Sequence, residues 1–254
     1  SGTGAEGTDY GTISDITISA GSTTGTTAFD PTDDSVYEGN ETAAVTITNV
    51  VGADAGSTTS QTITITENDS SPVVTLATSA STIAENAGSS LTLTATLSNA
   101  TTEDVTVALS TSGTGTEGTD YSTISDITIS AGATTGTASF TPTDDSVYEG
   151  NETGIVAIDS VSGGSANESG TPQSVTITIT ENESAPTVTL TTSASSIAEN
   201  AGSSLTLTAT LSVATTADVT VGISTSGTGT EGTDYSTISD ITISAGQTTG
   251  TASF

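Results

Sequence analysis

The chain has no Lys, Arg, His, Cys, Met or Trp, so its 30 acidic side chains leave a formal charge of −30 with no internal counter-charge. Nucleic acid is excluded as a partner, because Lys and Arg contacts to phosphate dominate that affinity. An anionic lipid surface repels such a chain for the same reason. The absences also remove most catalytic chemistry. A Ser-His-Asp triad, a Cys/His zinc site and a phosphate-binding P-loop each lack an obligatory residue, so the chain reads as a non-enzyme. Without cysteine there are no disulfides, and without lysine there are no Lys–Asn isopeptide crosslinks. A small domain with neither staple needs a metal or a large core. No apolar run approaches ~18 residues and no basic stretch precedes a short hydrophobic one, so neither a membrane span nor a signal peptide is expected within this segment. Aromatic residues make up only 3%, which leaves Val, Ile, Leu and Ala to build the core.

Ser and Thr fill about two-fifths of the chain, a composition that suits half-buried pleated surfaces and points to an all-β fold. The chain is also an array of near-identical units. Asp9 and Asp120 lie 111 residues apart, and Asp120/Asp234, Glu85/Glu199 and Glu67/Glu181 each lie 114 apart. The difference in period falls in one surface loop, 51–61 against 162–173. One unit, residues 72–185, reads as seven short alternating runs: 73–76, 91–97, 105–109, 126–129, 137–140, 154–158 and 175–179. Such a pattern is expected to fold as a seven-stranded, Greek-key, immunoglobulin-like β-sandwich. By the two-residue period Leu91, Leu93, Ala95 and Leu97 share one face, as do Val105, Val107 and Leu109, and Val175, Ile177 and Ile179. These faces are the expected core, with Tyr121 and Phe140 as its plugs. In this register residues 1–71 are the C-terminal part of a unit and 186–254 the N-terminal part of another, as expected for a window on a longer array, strand exchange between molecules being the other explanation.

Carboxylates concentrate in Asp144-Asp145-Ser146-Val147-Tyr148-Glu149-Gly150-Asn151-Glu152, four in nine residues, repeated in the first unit as Asp33, Asp34, Glu38 and Glu41. Two unit charges about 4 Å apart near a surface interact by about 4 kcal/mol. Hard oxygen ligands at such density suit Ca²⁺, which takes about six to eight oxygens in flexible geometry, whereas Mg²⁺ keeps more water. The spacing is not that of an EF-hand loop, so a metal here would sit in sandwich loops. The competing reading is a solvated, solubilising acidic face. Gly113 to Gly118 matches the GxGxxG dinucleotide fingerprint, but a strand follows it and acid stands where phosphate would bind, so that match is set aside. Paired carboxylates for glycoside hydrolysis are set aside too, for want of any Trp, Arg or His. Asn40, Asn68, Asn99, Asn151, Asn167 and Asn182 begin N-glycosylation triplets, which a chain this rich in Ser and Thr produces by chance. Glu103, Glu117, Asp126 and Asp159 read as ordinary surface charge.

The ordered landmarks Asp120-Tyr121, Ile127 to Gly132, Gly136 to Phe140, Asp144-Asp145 through Tyr148-Glu149 to Glu152, and Val175 to Glu183 resemble the Calx-beta domain over essentially the whole chain. That resemblance implies a calcium-binding sandwich. Carried over by position, it implies ligation by Glu85, Asp120, Asp144, Asp145, Glu149, Glu152 and the main-chain carbonyl of Val147, closed by Glu181 and Glu183. The equivalents are Asp9, Asp33, Asp34, Glu38, Glu41, Glu67 and Asp69 in the first unit, and Glu199 and Asp234 in the third. The chain departs from the family's calcium-sensing members at the last element: Glu181-Asn182-Glu183 and Glu67-Asn68-Asp69 stand where those have consecutive aspartates. The function expected is a structural segment of a long extracellular or cell-surface fibre or adhesin stalk, with Ca²⁺ at unit ends rigidifying the rod. Its partners would be neighbouring repeats of the same chain and other copies in a filament. Two alternatives stand beside it: an adhesion module recognising a glycan or surface protein, and a calcium-responsive regulatory domain.

Overall fold

The computed structural model describes residues 3–170 and 173–254, and among them there are strands and no helices. Residues 171 and 172 of the variable loop, and 1 and 2 of the first unit, lie outside the described residues. The middle unit is a two-layer sandwich. In one layer Leu91–Leu97 lies antiparallel to both Val73–Thr78 and Thr135–Phe140, and the two-residue strand Asn167–Glu168 runs parallel to the start of Val73–Thr78. In the other, Glu152–Ser162 lies antiparallel to Ser174–Thr180 and to Val105–Gly113, which in turn pairs with Ile127–Ile129. After Thr78 the chain crosses between layers, and Thr82–Ala84 joins the second sheet parallel to Ser174–Thr180. This crossing delivers Glu85 to the end of Ser174–Thr180, where its N–H donates to Thr180 O at 3.0 Å.

The inward faces follow the two-residue period. Leu93, Ala95, Val105, Val107, Ile127, Ile129, Val156 and Ile177 are fully buried, while Leu91, Leu109 and Val175 are half-buried at the rim. With so few aromatics, one ring pair does the bulk filling. Tyr121 stacks on Phe140 with centroids 4.7 Å apart, beneath Glu152–Ser162. The same pair recurs as Tyr10–Phe29 at 4.8 Å in the first unit, but in the third Tyr235–Phe254 is edge-on at 6.0 Å. The counterpart of strand 152–162, which covers the pair in the middle unit, would fall after residue 254.

The flanking units hold less. The first has the hairpin Glu41–Thr46 with Ser60–Ile65. The third has the sheet Val188–Thr192, Thr206–Leu211 and Thr249–Ser253, plus the pair Val219–Val221 with Ile241–Ile243. Ile16 and Ile18 are 55% and 57% exposed, although their repeat equivalents Ile127 and Ile129 are buried against Val105–Gly113. Burial here is a property of the assembled sandwich and not of the local sequence.

Consecutive units touch through main chain. Val36–Tyr37 of the first pairs in parallel with Ala100–Thr101 of the second, and Val147–Tyr148 of the second pairs in parallel with Ala214–Thr215 of the third. At the first junction Asn99 Nδ2 also donates to Ser70 O at 2.7 Å, and Ser71 Oγ to Ser165 O at 2.6 Å.

Gly113, at φ +121°, sits where a Cβ would lie 2.1 Å from Thr153 O. Only glycine tolerates both the left-handed backbone and that approach. Gly113→Ala is therefore expected to destabilise the middle unit by about 2 kcal/mol, read as a lowered denaturation midpoint. An unchanged midpoint would contradict the packing of strand 105–113 against 152–162.

Candidate metal centre

Each acidic loop is fixed by its own short polar groups before any longer contact forms. Asp145 Oδ1 accepts the N–H of Val147 at 2.7 Å, an Asx-type turn, and Gly150 supplies the positive φ of +78° that ends the loop. Asp120 Oδ2 accepts the N–H of Thr116 at 2.6 Å, which locks the Asp-Tyr corner; Thr230 and Asp234 repeat this at 2.7 Å. The terminal cluster then grips the loop. Glu181 Oε2 accepts the N–H groups of Glu149 and Gly150 at 2.6 and 2.8 Å, while its Oε1 accepts those of Asn182 and Glu183, both at 3.0 Å. Asn151 Oδ1 returns the favour by accepting the N–H of Glu181 at 3.0 Å. Glu67, Glu38, Gly39 and Asn40 build the same arrangement in the first unit.

Among the described residues three groups of carboxylates result, each with ligand atoms all within 4.8 Å of one another: Asp120, Glu149 and Glu152; Glu85, Glu181 and Glu183; and Asp9, Glu38 and Glu41. Most of their carboxyls are shifted upward. Burial pushes Glu85 up to about 7, helped by the charges of Glu181, Glu183 and Asp145, although the Asp145 N–H opposes it. Burial pushes Glu149 up to about 7 as well, with Asp120, Glu152, Asp145 and Glu181 adding repulsion. Glu152 is raised by burial and by Asp120, and Glu183 by its carboxyl contact with Glu181, then by burial and like charge. Glu181 goes the other way. Burial raises it, but the N–H donors of Glu183, Glu149 and Gly150 outweigh that and bring it to about 2.

The donor set fits a hard divalent cation. Glu85 is only 6% exposed, yet the chain contains no basic side chain to neutralise it. Glu183 Oε2 is buried without a hydrogen-bond partner, an orphaned acceptor beside two further carboxylates. Buried charge of this kind is paired or coordinates metal.

The other sequence candidates fall around these groups rather than in them. Asp144 Oδ1 accepts from Asn182 Nδ2 at 3.2 Å, and Asp33 from Asn68 Nδ2 at 2.8 Å. Asp145 and Asp34 each accept a turn N–H on Oδ1, from Val147 and Val36, both at 2.7 Å, while Val147 itself belongs to the inter-unit ladder. Asp69 N–H donates to Glu67 Oε1 at 2.9 Å, and by the repeat offset the position equivalent to Glu85 falls before residue 1. Glu199 and Asp234 are exposed and join no such group among the described residues.

Three roles escaped the sequence reading. Asn151 and Asn40 tie the terminal cluster to the loop, signalled only by their fixed place between Gly and Glu in both copies. Glu117, read as surface charge, anchors its loop by accepting Thr111 Oγ1 at 2.6 Å and Ile124 N at 2.8 Å. Asp126, read likewise, accepts Leu109 N at 3.0 Å, and Asp240 repeats this on Ile223 N at 3.0 Å.

The Calx-beta domain family matches three times in tandem, over residues 1–69, 67–183 and 181–249. The chain belongs to that family. Calx-beta domains are non-catalytic β-sandwiches known to bind calcium and associated with extracellular or membrane-linked settings, and the acidic groups described above are of the kind such binding uses. No helix among the described residues is long and apolar enough to cross a membrane. No curated protein matches the chain. Among solved structures, one similar to this Calx-beta array is a two-domain protein of unknown function from Bacteroides fragilis, 10% identical, covering 59% of this chain and 68% of that one with a TM-score of 0.32.

The raised carboxyls set a pH dependence for the metal-free array. Glu85 and Glu149 hold a proton more tightly folded than unfolded, so their contribution is full below the ordinary carboxylate range and is lost as pH rises through about 7. Glu181 contributes the opposite way, its share vanishing as pH falls toward 2. In EDTA the folded state is therefore expected to be more stable at pH 5.5 than at pH 8, by on the order of 2 kcal/mol, read as a higher thermal midpoint at pH 5.5. Equal midpoints would show that these carboxyls are not perturbed by folding.

Proposed function

We propose that this chain is a structural segment of an extracellular fibre or adhesin stalk, in which calcium at the unit ends stiffens a rod of tandem sandwiches. The observation that carries this reading is positional. In both copies of the acidic loop, that loop is also the segment that contacts the next unit, Val36–Tyr37 against Ala100–Thr101 and Val147–Tyr148 against Ala214–Thr215. A cation held by Asp120, Glu149 and Glu152, or by Glu85, Glu181 and Glu183, neutralises the repulsion beside the hinge. Its binding free energy then adds to the folded, docked state. Near-identity of the units suits reach and spacing, since a receptor site would need only one of them. Extracellular calcium at millimolar level keeps even weak oxygen sites filled.

Small-angle X-ray scattering of the 254-residue chain tests the reading. A longer, more rigid particle is expected in millimolar Ca²⁺ than in EDTA, and superimposable curves together with identical unfolding midpoints would overturn it.

A further inference from the structure

The peptide bond between Asp30 and Pro31 is the chain's one Asp-Pro bond; the other prolines follow Ser71, Thr141, Thr171 and Ala185. Such a bond is chemically weak for a covalent reason. The aspartate carboxylate can close a five-membered ring on its own main-chain carbonyl carbon, and the proline nitrogen, which carries no N–H, leaves as a basic secondary amine. The fold favours both halves of that step here. Asp30 is exposed and its carboxylate takes no hydrogen bond among the described residues, so it is free to turn onto the carbonyl. The Asp30 carbonyl oxygen accepts the N–H of Gly11 at 2.9 Å, a donor placed where negative charge develops when that carbon is attacked. Pro31 is bridged to Tyr10 and lines one cavity with Asp9, Asp33, Asp34, Glu38 and Glu41. Positive charge growing on the departing nitrogen therefore meets carboxylates and no competing basic side chain. The middle unit keeps this frame but lacks the reactant. Ser122 N–H on Thr141 O, Thr143 N–H on Asp120 O and the Tyr121–Pro142 bridge reproduce Gly11 N–H on Asp30 O, Thr32 N–H on Asp9 O and the Tyr10–Pro31 bridge, all four hydrogen bonds at 2.9 Å. Thr141 stands where the first unit has Asp30.

We infer that the Asp30-Pro31 bond is a self-scission site, at which the folded chain cuts its own backbone in mildly acidic solution with water as the only co-reactant. A carboxylate oxygen of Asp30 attacks the residue's own main-chain carbonyl carbon, and the new C–O bond closes a cyclic anhydride. The C–N bond to Pro31 breaks, its electron pair stays on nitrogen, and the nitrogen takes a proton from solvent. Water then opens the anhydride, leaving Asp30 with a side-chain and a terminal carboxyl and Pro31 as a secondary ammonium. The sum is a hydrolysis: one water is consumed, and nothing is oxidised or reduced. The new ammonium stands among carboxylates in a chain with no basic side chain, which favours the cut product. The inference is independent of the calcium reading.

Intact-mass spectrometry of the full chain tests it. The chain is held in EDTA at about pH 4, where an ordinary aspartate is roughly half ionised, with a parallel sample unfolded in concentrated urea and circular dichroism reporting the fold. The folded chain is expected to yield residues 1–30 and 31–254, whose masses sum to that of the parent plus one water, at least ~10-fold faster than the chain in urea. Asp30→Thr, which copies the middle unit, should stay whole, and Thr141→Asp should open a second cut between residues 141 and 142. A folded parent that stays whole, or that is cut no faster than the sample in urea, would overturn the inference. So would a folded Thr141→Asp chain cut only after Asp30, or an Asp30→Thr chain still cut there. The comparison of folded and unfolded parent needs no substitution, so it decides the matter even where a variant fails to fold.

Discussion

Stripping calcium from the intact chain is expected to lower its thermal midpoint by about 10 °C or more. Each site saturated at about 100 times its dissociation constant contributes about 2.7 kcal/mol, and the middle unit carries two carboxylate groups, Asp120–Glu149–Glu152 and Glu85–Glu181–Glu183. At about 2–4 °C per kcal/mol for a chain of this size, two filled sites amount to a shift of that order. What replaces the ion decides the size of the shift. No Lys, Arg or His exists to balance these carboxylates, so the metal-free chain must protonate Glu85 and Glu149, both raised to about 7, or bear the repulsion. Calcium binding near neutral pH should accordingly release protons, seen as buffer-dependent heat in calorimetry. A midpoint that ignores both Ca²⁺ and EDTA would show that the clusters are a solvated acidic face.

Glu149→Gln is expected to invert the order of stabilities. Without metal, the substitution removes one of three like charges whose ligand atoms lie within 4.8 Å and leaves a neutral group in a partly buried position. The metal-free variant should therefore gain on the order of 1–2 kcal/mol over the parent at pH 8. With saturating Ca²⁺ the variant should fall below the parent, since it loses most of the roughly 2.7 kcal/mol that this site supplies. Paired melts of the two proteins in EDTA and in Ca²⁺ read both signs. Asp159→Asn, at an exposed position away from all three groups, should shift neither melt by more than about 0.5 kcal/mol. A variant less stable than the parent in both buffers would mean that Glu149 serves the fold and not a cation.

The sandwich was legible because alternation is a strong signal when the polar partner is nearly always Thr. Leu93, Ala95, Val105, Val107 and Ile177 could be placed inside from spacing alone, and the Tyr121–Phe140 plug from being nearly the only bulky side chains. The acidic candidates were legible as a set, but not how they divide. Sequence spacing cannot show that Thr82–Ala84 changes sheet and so brings Glu85 beside Glu181 and Glu183 rather than beside Asp120. Nor does it distinguish Asp145, one of whose oxygens accepts the Val147 N–H, from Glu149, which lies in a group of three carboxylates. The inter-unit ladders were invisible for a different reason. Two-residue strands such as Val147–Tyr148 and Ala214–Thr215 carry no periodicity, and their pairing depends on how whole units are set against each other.

Stiffness at the junction is the claim on which the account depends, and its most direct measure is an inter-unit distance distribution. With spin labels on Gln61→Cys in the first unit and Ser139→Cys in the middle unit, both exposed strand positions, electron–electron dipolar spectroscopy reads that distribution on the full chain. A single narrow distribution in millimolar Ca²⁺ that broadens severalfold in EDTA is the predicted result. Equally broad or equally narrow distributions in the two buffers would contradict a calcium-stiffened rod.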